Sequence, residues 1–412
     1  MVKPWDTATI GDFLDFKNGL NKGKEFFGYG TPIVNYTDVY RKRSLTKNDV
    51  RGKVSLTRDE IHRFDAQKND VFFTRTSETP EEVGMSSVLL DDIDDCVFSG
   101  FVLRGRPKND MFTPEYCKYC FTTEAVRNAI TMGCTYTTRA LTNGKQLSAI
   151  EIVVPSKPEQ EAIAQSLTDI DELILSLEKL VAKKKAIKQG AMQELLTGKR
   201  RLPGFSGEWE TKKLEDYCSL ITKQTGFDYS AYIKPALITR KMPNTVPMIQ
   251  TINFRGRKFT FETDYYIPQS VAMQFPNIVL NKKCVLFSIV GASVGNVGLY
   301  PGNITAFCGG AIGITRFRNE QDAEWVFNYM SSPDGQSQIQ YVTKGGAQAT
   351  VTIADIRNFK IPTPEKGERD AISSILENMD HEIEVLEEKL AKYRQVKQGM
   401  MQQLLTGKIR LG

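Results

Sequence analysis

Histidine is almost missing from this chain: His62 and His381 are the only two in 412 residues. That leaves little scope for imidazole acid–base catalysis or for a zinc site built on histidines. Cysteine is sparse and odd in number, with Cys96, Cys117, Cys120, Cys134, Cys218, Cys284 and Cys308 spread thinly. Such usage suits a reducing cytoplasm better than a disulfide framework. No apolar run approaches the roughly 20 residues a membrane span requires, and the opening MVKPWDTATIGDF has no signal-peptide core. A cytoplasmic chain without a membrane anchor is therefore expected.

Motifs of catalysis are missing too. No G-x-x-x-x-G-K-[ST] phosphate loop is present, so ATP-driven work is not encoded here. Neither an Asn- or Asp-Pro-Pro-aromatic tetrapeptide, the mark of an amino-methyltransferase, nor an acidic nuclease cluster with a following lysine occurs. Two segments invite a chemical reading and do not sustain it. YCKYC (116–120) holds Cys-x-x-Cys, but zinc needs two more ligands and only Cys134 is near, so cysteines packed into a core are expected. GASVGNVG (291–298) has the wrong glycine spacing for a dinucleotide fingerprint and reads as a tight turn between strands. An enzyme is the minority reading, and neither cofactor nor metal is expected.

What the chain does contain is a repeat. KQGAMQELLTGKRRL (188–202) returns as KQGMMQQLLTGKIRL (397–411), identical at twelve of fifteen positions and offset by 209. At that offset the alignment runs backwards without a gap, laying 159–190 on 368–399. The leading edges correspond as well, Trp5, Ile10 and Asp12 with Trp209, Leu214 and Asp216. A fixed period of this kind governs the architecture. The order is block 1–155, helix 156–201, block 202–364, helix 365–412.

Apolar residues in the first helix fall at Ile163, Leu167, Ile170, Ile174, Leu177 and Val181. In the second they fall at Ile372, Leu376, Met379, Ile383, Leu386 and Leu390. The alternating four- and three-residue spacing is the seam of a coiled coil. Charge selects its sense. Residues 156–178 carry net −5 and 179–201 carry +7, while 365–388 carry −7 and 389–412 carry +6. A parallel pair would set acid beside acid; an antiparallel pair matches acid to base and puts each sign at the helix end its dipole favours. Exposed pairs are individually weak, so charge chooses the orientation rather than supplying the stability.

Both blocks show short β-rich runs, among them DVFFT, SSVLL, CVLFSIV and AIGITRF, with helical stretches at 113–130 and 322–339. An α+β fold is expected, each block a twisted antiparallel sheet with a few helices. Residues 229–319 hold ten basic residues against only Glu262 and Asp264, a net +8 in a chain whose total is +5. Lys234, Arg240, Lys241, Arg255, Arg257 and Lys258 carry this charge beside Phe254 and Phe259. In the first block the acid-free segments 40–48 and 135–145 supply Arg41, Lys42, Arg43, Lys47, Arg139 and Lys145, with Arg75 in FFTRTS. TKGGAQATVT (343–352) adds Lys344 and Gln348 beside paired glycines that admit close backbone approach. Such cations either neutralise phosphates and read guanine edges or form an ordinary solvated face.

GTPIVNYTDV (30–39), CVLFSIVGASVGNVGLY (284–300), LSAIEIVVPSKPEQEAIAQSL (147–167) and the repeated KQG-MQ-LLTGK tail together resemble the DNA-specificity subunits of type I restriction-modification systems. The resemblance covers nearly the whole chain and is strongest in the helices and at the block edges. It implies two target-recognition domains separated by an antiparallel helical spacer, and no catalytic activity in this subunit. It also implies double-stranded DNA, two methyltransferase subunits carrying S-adenosylmethionine and, optionally, restriction subunits using ATP as partners. On that expectation the cations above contact DNA and the two unlike blocks read an asymmetric bipartite site. The rival from another class is a coiled-coil adaptor with two protein-binding domains.

Overall fold

The structure, a computed structural model, describes residues 5–343 and 349–411. Two helices of 39 residues, α1 (Lys157–Leu195) and α2 (Lys366–Leu404), stand at the same offset of 209 as the sequence repeat. At ~1.5 Å rise per residue each is about 58 Å long. The chain divides into two compact units, Met1–Glu178 with Glu388–Gly412, and Lys179–Glu387. Each unit thus combines one block, the first part of its own helix and the last part of the other.

In the first unit, strand Asp6–Thr9 pairs antiparallel with Glu151–Val154, tying the two ends of the block together where α1 begins. A five-stranded sheet runs in the order Leu14–Asn18, Val102–Pro107, Val71–Thr74, Ser86–Leu89, Ser44–Leu45. Its central strands Val71–Thr74 and Ser86–Leu89 are buried at every position, which is why they read as continuous apolar or small runs rather than alternating ones. A second sheet joins Gly52–Val54, Phe27–Val34 and Val97–Phe98.

The second unit repeats this plan with different residues. Glu210–Lys213 pairs with Lys360–Thr363. The main sheet is Cys218–Lys223, Ile312–Phe317, Cys284–Ser288, Val297–Tyr300, and a further sheet orders Tyr266–Pro268, Thr245–Ile249, Ala306–Cys308, Val279–Leu280. One twisted antiparallel sheet per block was the expectation, and it needs correcting. Each block carries more than one sheet and a parallel pairing, Phe27–Val34 with Val97–Phe98 and Thr245–Ile249 with Ala306–Cys308. The long connections between those strands let the later one enter in the same sense, which a hairpin cannot do.

Within each unit the helices run antiparallel. In the first, Glu159 meets Arg410, Asp171 meets Lys397 and Glu178 meets Arg394. In the second, Lys184 meets Glu382, Lys188 meets Asp380 and Arg201 meets Glu368. Numbers rise along one helix as they fall along the other. Ile163 and Leu167 are buried in the core of the first block together with Leu404 and Leu405. Ile372 and Leu376 sit in the second core with Leu195 and Leu196, and Met379 packs against it half-buried. Ile170, Ile174, Leu177, Val181, Ile383 and Leu390 are buried along the seam, and Leu386 is half-buried. The outer seam positions therefore serve the globular cores as well as the helix pair.

The repeated tail has a repeated structural task. In the first unit the Arg410 guanidinium bonds both oxygens of Glu159 and lies 4.9 Å over the Trp5 ring, whose Nε1 donates to Glu159 at 3.1 Å. In the second, Arg201 bonds both oxygens of Glu368 at 2.8 and 2.7 Å and lies 5.5 Å over Trp209, whose Nε1 donates to Glu368 at 3.0 Å. Each tail so locks onto the front of the other repeat. Gly198 and Gly407 make this possible with φ of +71° and +68°, a left-handed turn that closes each helix and lays its backbone on the tryptophan face. The Arg200 and Ile409 N–H groups then bond back to the Glu194 and Gln403 carbonyls at 3.1 and 3.2 Å. Arg410 holds the Glu159 carboxyl down to about 2, and Arg201 holds Glu368 below its ordinary value.

Candidate nucleic-acid interface

Arg41 ends the short helix Tyr36–Arg41 and is exposed, as are Lys42 and Lys47 in the turn that follows. Lys42 pairs with Asp49, whose carboxyl also caps Thr46. Arg75 and Lys145, seventy residues apart in sequence, line one groove of about 550 Å³ with Lys17, Lys108 and Asp15. The strand Thr76–Ser77 brings them together by pairing with Ala140–Leu141, which also fixes the exposed Arg139 in the intervening turn. The groove has four cations against one carboxylate and is open to solvent, an arrangement that attracts phosphates.

In the second block Lys234, Arg240, Lys241 and Arg255 are all exposed. Lys234 opens a short turn at Lys234–Ala236, and Arg240 and Lys241 precede a loop that turns through Asn244 at φ +56°. Arg255 is presented by the tight hairpin Phe254–Arg255/Lys258–Phe259, reversed at Gly256 with φ +63°. The rings of Phe254 and Phe259 in the same hairpin stack 5.7 Å apart.

The family model of the type I restriction modification DNA specificity domain matches residues 2–189 and again 206–393. The chain belongs to the type I restriction-modification DNA specificity family. Two relatives, both from Methanocaldococcus jannaschii, extend the likeness over the full length. A protein named as the MjaX specificity subunit is 25% identical, covering 99% of this chain and 94% of its own. The type I restriction enzyme MjaVIII specificity subunit is 23% identical, covering 99% and 93%. The fold is shared with the crystal structure of the type I restriction-modification S subunit from M. genitalium, at TM-score 0.61 and 14% identity over 97% of this chain and 96% of that one. A chain from a study of complex assembly in the type I system matches at TM-score 0.57 and 16% identity, covering 98% of each.

In this specificity-family chain, two of the cations picked from sequence, Arg257 and Arg43, face inward rather than outward. Arg257 is half-buried, pairs with Glu324 at 2.7 Å and with Asp380 of α2 at 3.0 Å, and lies 5.0 Å over Phe327. Lys258 stays exposed while it pairs with Glu387 of α2. Arg43 lies 5.7 Å over the Tyr119 ring, whose hydroxyl donates to Asp171 of α1 at 3.1 Å, and reaches Met401 of α2 at 3.5 Å. Asp171 and Asp380 correspond at the repeat offset, but Arg257 pairs with Asp380 directly, whereas Arg43 lies over the tyrosine that donates to Asp171. Acid-free sequence suggested free cations because the acids of Arg257 and the ring that covers Arg43 come from distant segments. Lys344 and Gln348 lie outside the described residues.

Some charge was invisible as pairing. Buried Arg104 and Asp70 form a network with half-buried Arg106 and Asp65, Arg106 reaching Asp70 at 2.7 Å. A strand-alternate pair of arginines beside ND-V was the available signal. Cys117 and Cys120 are buried in the core beside Tyr116, and burial pushes the Cys120 thiol well up. All seven cysteines are free. The segment 291–298 forms most of the turn from strand Cys284–Ser288 and enters the next strand at Val297, with Gly291 and Gly295 at φ +87° and +95°. Among the described residues no group of three or more His, Cys, Asp or Glu could hold a metal ion, and no helix is long and apolar enough to cross a membrane.

Proposed function

We propose that this chain is the DNA-sequence-specificity subunit of a type I restriction-modification complex and reads an asymmetric bipartite site, one block per half. The observation that carries the reading is the twofold repeat of one plan with unlike surfaces: the same edge pairing where each long helix begins and the same Trp–Glu–Arg lock in both units, against different exposed cations. What is repeated serves identical partners. What differs serves different half-sites.

On this reading Arg41, Lys47, Arg75, Arg139 and Lys145 contact one half-site, and Lys234, Arg240, Lys241 and Arg255 the other. The paired helices act as a spacer between the readers, and two methyltransferase subunits dock on the chain, with restriction subunits as optional additions. Methyl transfer and cleavage belong to those partners. The antiparallel repeat makes the two readers address opposite strands, with half-site centres about one duplex turn, ~34 Å, apart. Co-expression with the modification subunits followed by mapping of methylated positions tests this. A split, asymmetric motif with an unread centre is expected. A continuous motif, or methyl transfer by the purified chain alone, would overturn the reading.

A further inference from the structure

A second cavity in the first block, of about 450 Å³, is lined by Tyr36, Tyr40, Ser77, Glu82, Phe101 and Arg139. Its floor is a fixed carboxylate. The Tyr40 hydroxyl donates to Glu82 at 2.7 Å and the Ser77 hydroxyl at 3.2 Å, so the side chain is held in place while half-buried. Its walls are aromatic: Tyr36 and Tyr40 stack 5.7 Å apart at 14°, and Phe101 is 58% exposed. Arg139 and a second carboxylate, Glu78, complete the charged lining. A carboxylate facing a polyanion is unfavourable unless an amino group meets it. Among base edges, that partner is the exocyclic amine, of which cytosine N4 is the usual match for Glu.

We infer that Glu82 is a specificity-determining residue, accepting a hydrogen bond from the exocyclic amino group of one base, a cytosine, while Phe101 packs on the base step and Arg139 holds the adjoining phosphate. This rests on the chain reading DNA as proposed above. It adds what that reading leaves open, a named base edge and the side chain that meets it. Tyr40 is a positioning residue, because it acts through Glu82.

The complex reconstituted with its modification subunits is tested against duplexes randomised in the first half-site, with wild type, Glu82→Gln, Tyr40→Phe and Phe101→Ala. Wild type should prefer cytosine at one position. Glu82→Gln should reduce discrimination there by about 5- to 150-fold, leaving the other positions and the second half-site unchanged. Tyr40→Phe should weaken the same position less, and Phe101→Ala should lower affinity for that half-site. An unchanged preference in Glu82→Gln overturns the inference. So does a uniform loss over the whole half-site, which marks a structural strut, or a loss of modification-subunit binding with the motif intact, which assigns the cavity to a protein partner. A wild-type complex with no sequence preference would instead sink the DNA-reading proposal itself, and the inference with it.

Discussion

Glu159 shows how one carboxylate comes to matter beyond its charge. It accepts from Arg410, Trp5 and Ser156, and Arg410 is the largest reason its pKa falls to about 2 from an ordinary value of 4.5. A carboxyl depressed in the folded state adds stability above its unfolded pKa and loses it as pH falls through the folded one. Acid unfolding of wild type should therefore deepen between pH 4.5 and 2, and Glu159→Gln should flatten that limb. At neutral pH the same substitution should cost about 1–3 kcal/mol, by analogy with other hydrogen bonds to charged groups, read by denaturant titration. Cations divide by the same test of partners. Alanine at Lys234, Arg240, Lys241 or Arg255 should leave folding alone and reduce the slope of log affinity against log salt by about one each, if each meets a phosphate. Arg257→Ala should instead lower the melting temperature, because Glu324 and Asp380 lose their shared partner. An equal salt-slope change for Arg257 would show that it meets phosphate after all.

Helix α2 and its tail show why the element repeats more faithfully than the blocks. The tail must end a helix, turn left-handed and place an arginine between a tryptophan and a glutamate, a set of constraints that few sequences meet. Gly407→Ala should cost about 1–2 kcal/mol, since φ of +68° is unfavourable for any residue with a Cβ and that atom would stand 3.1 Å from the Trp5 ring. Gly198→Ala should behave alike at Trp209 with its looser 3.4 Å approach. Thermal denaturation of the two variants checks both, and a neutral Gly407→Ala would show that the turn relaxes. The seam was legible in sequence because its period survives the repeat. That Ile163, Leu167, Ile372 and Leu376 also belong to globular cores was not, because heptad spacing names a buried stripe without naming what covers it.

At the scale of the whole chain, the spacer proposal yields a prediction in base pairs. Inserting one turn into α1 and the matching turn into α2 adds about 5.4 Å, which should lengthen the unread centre of the target by one or two base pairs. Methylation mapping of that variant reads the change directly, and an unchanged centre would count heavily against the ruler. Inserting the turn in one helix alone breaks the acid–base register along the pair, so misfolding is expected there.

Periodicity, charge blocks and the 209-residue offset are properties of the chain itself, and they determined the two-block plan, the presence of two long helices and their antiparallel sense, though the helices stop at Leu195 and Leu404, short of the expected 201 and 412. Each arises from local spacing or from charge separated along one element, which no packing is needed to read. Tertiary structure alone decided which cations face outward, because the acids of Arg257 and the ring under Arg43 lie in distant segments of the chain. It alone assembled the groove of Arg75 with Lys145 and the cavity at Glu82, since each draws its lining from several segments far apart in sequence.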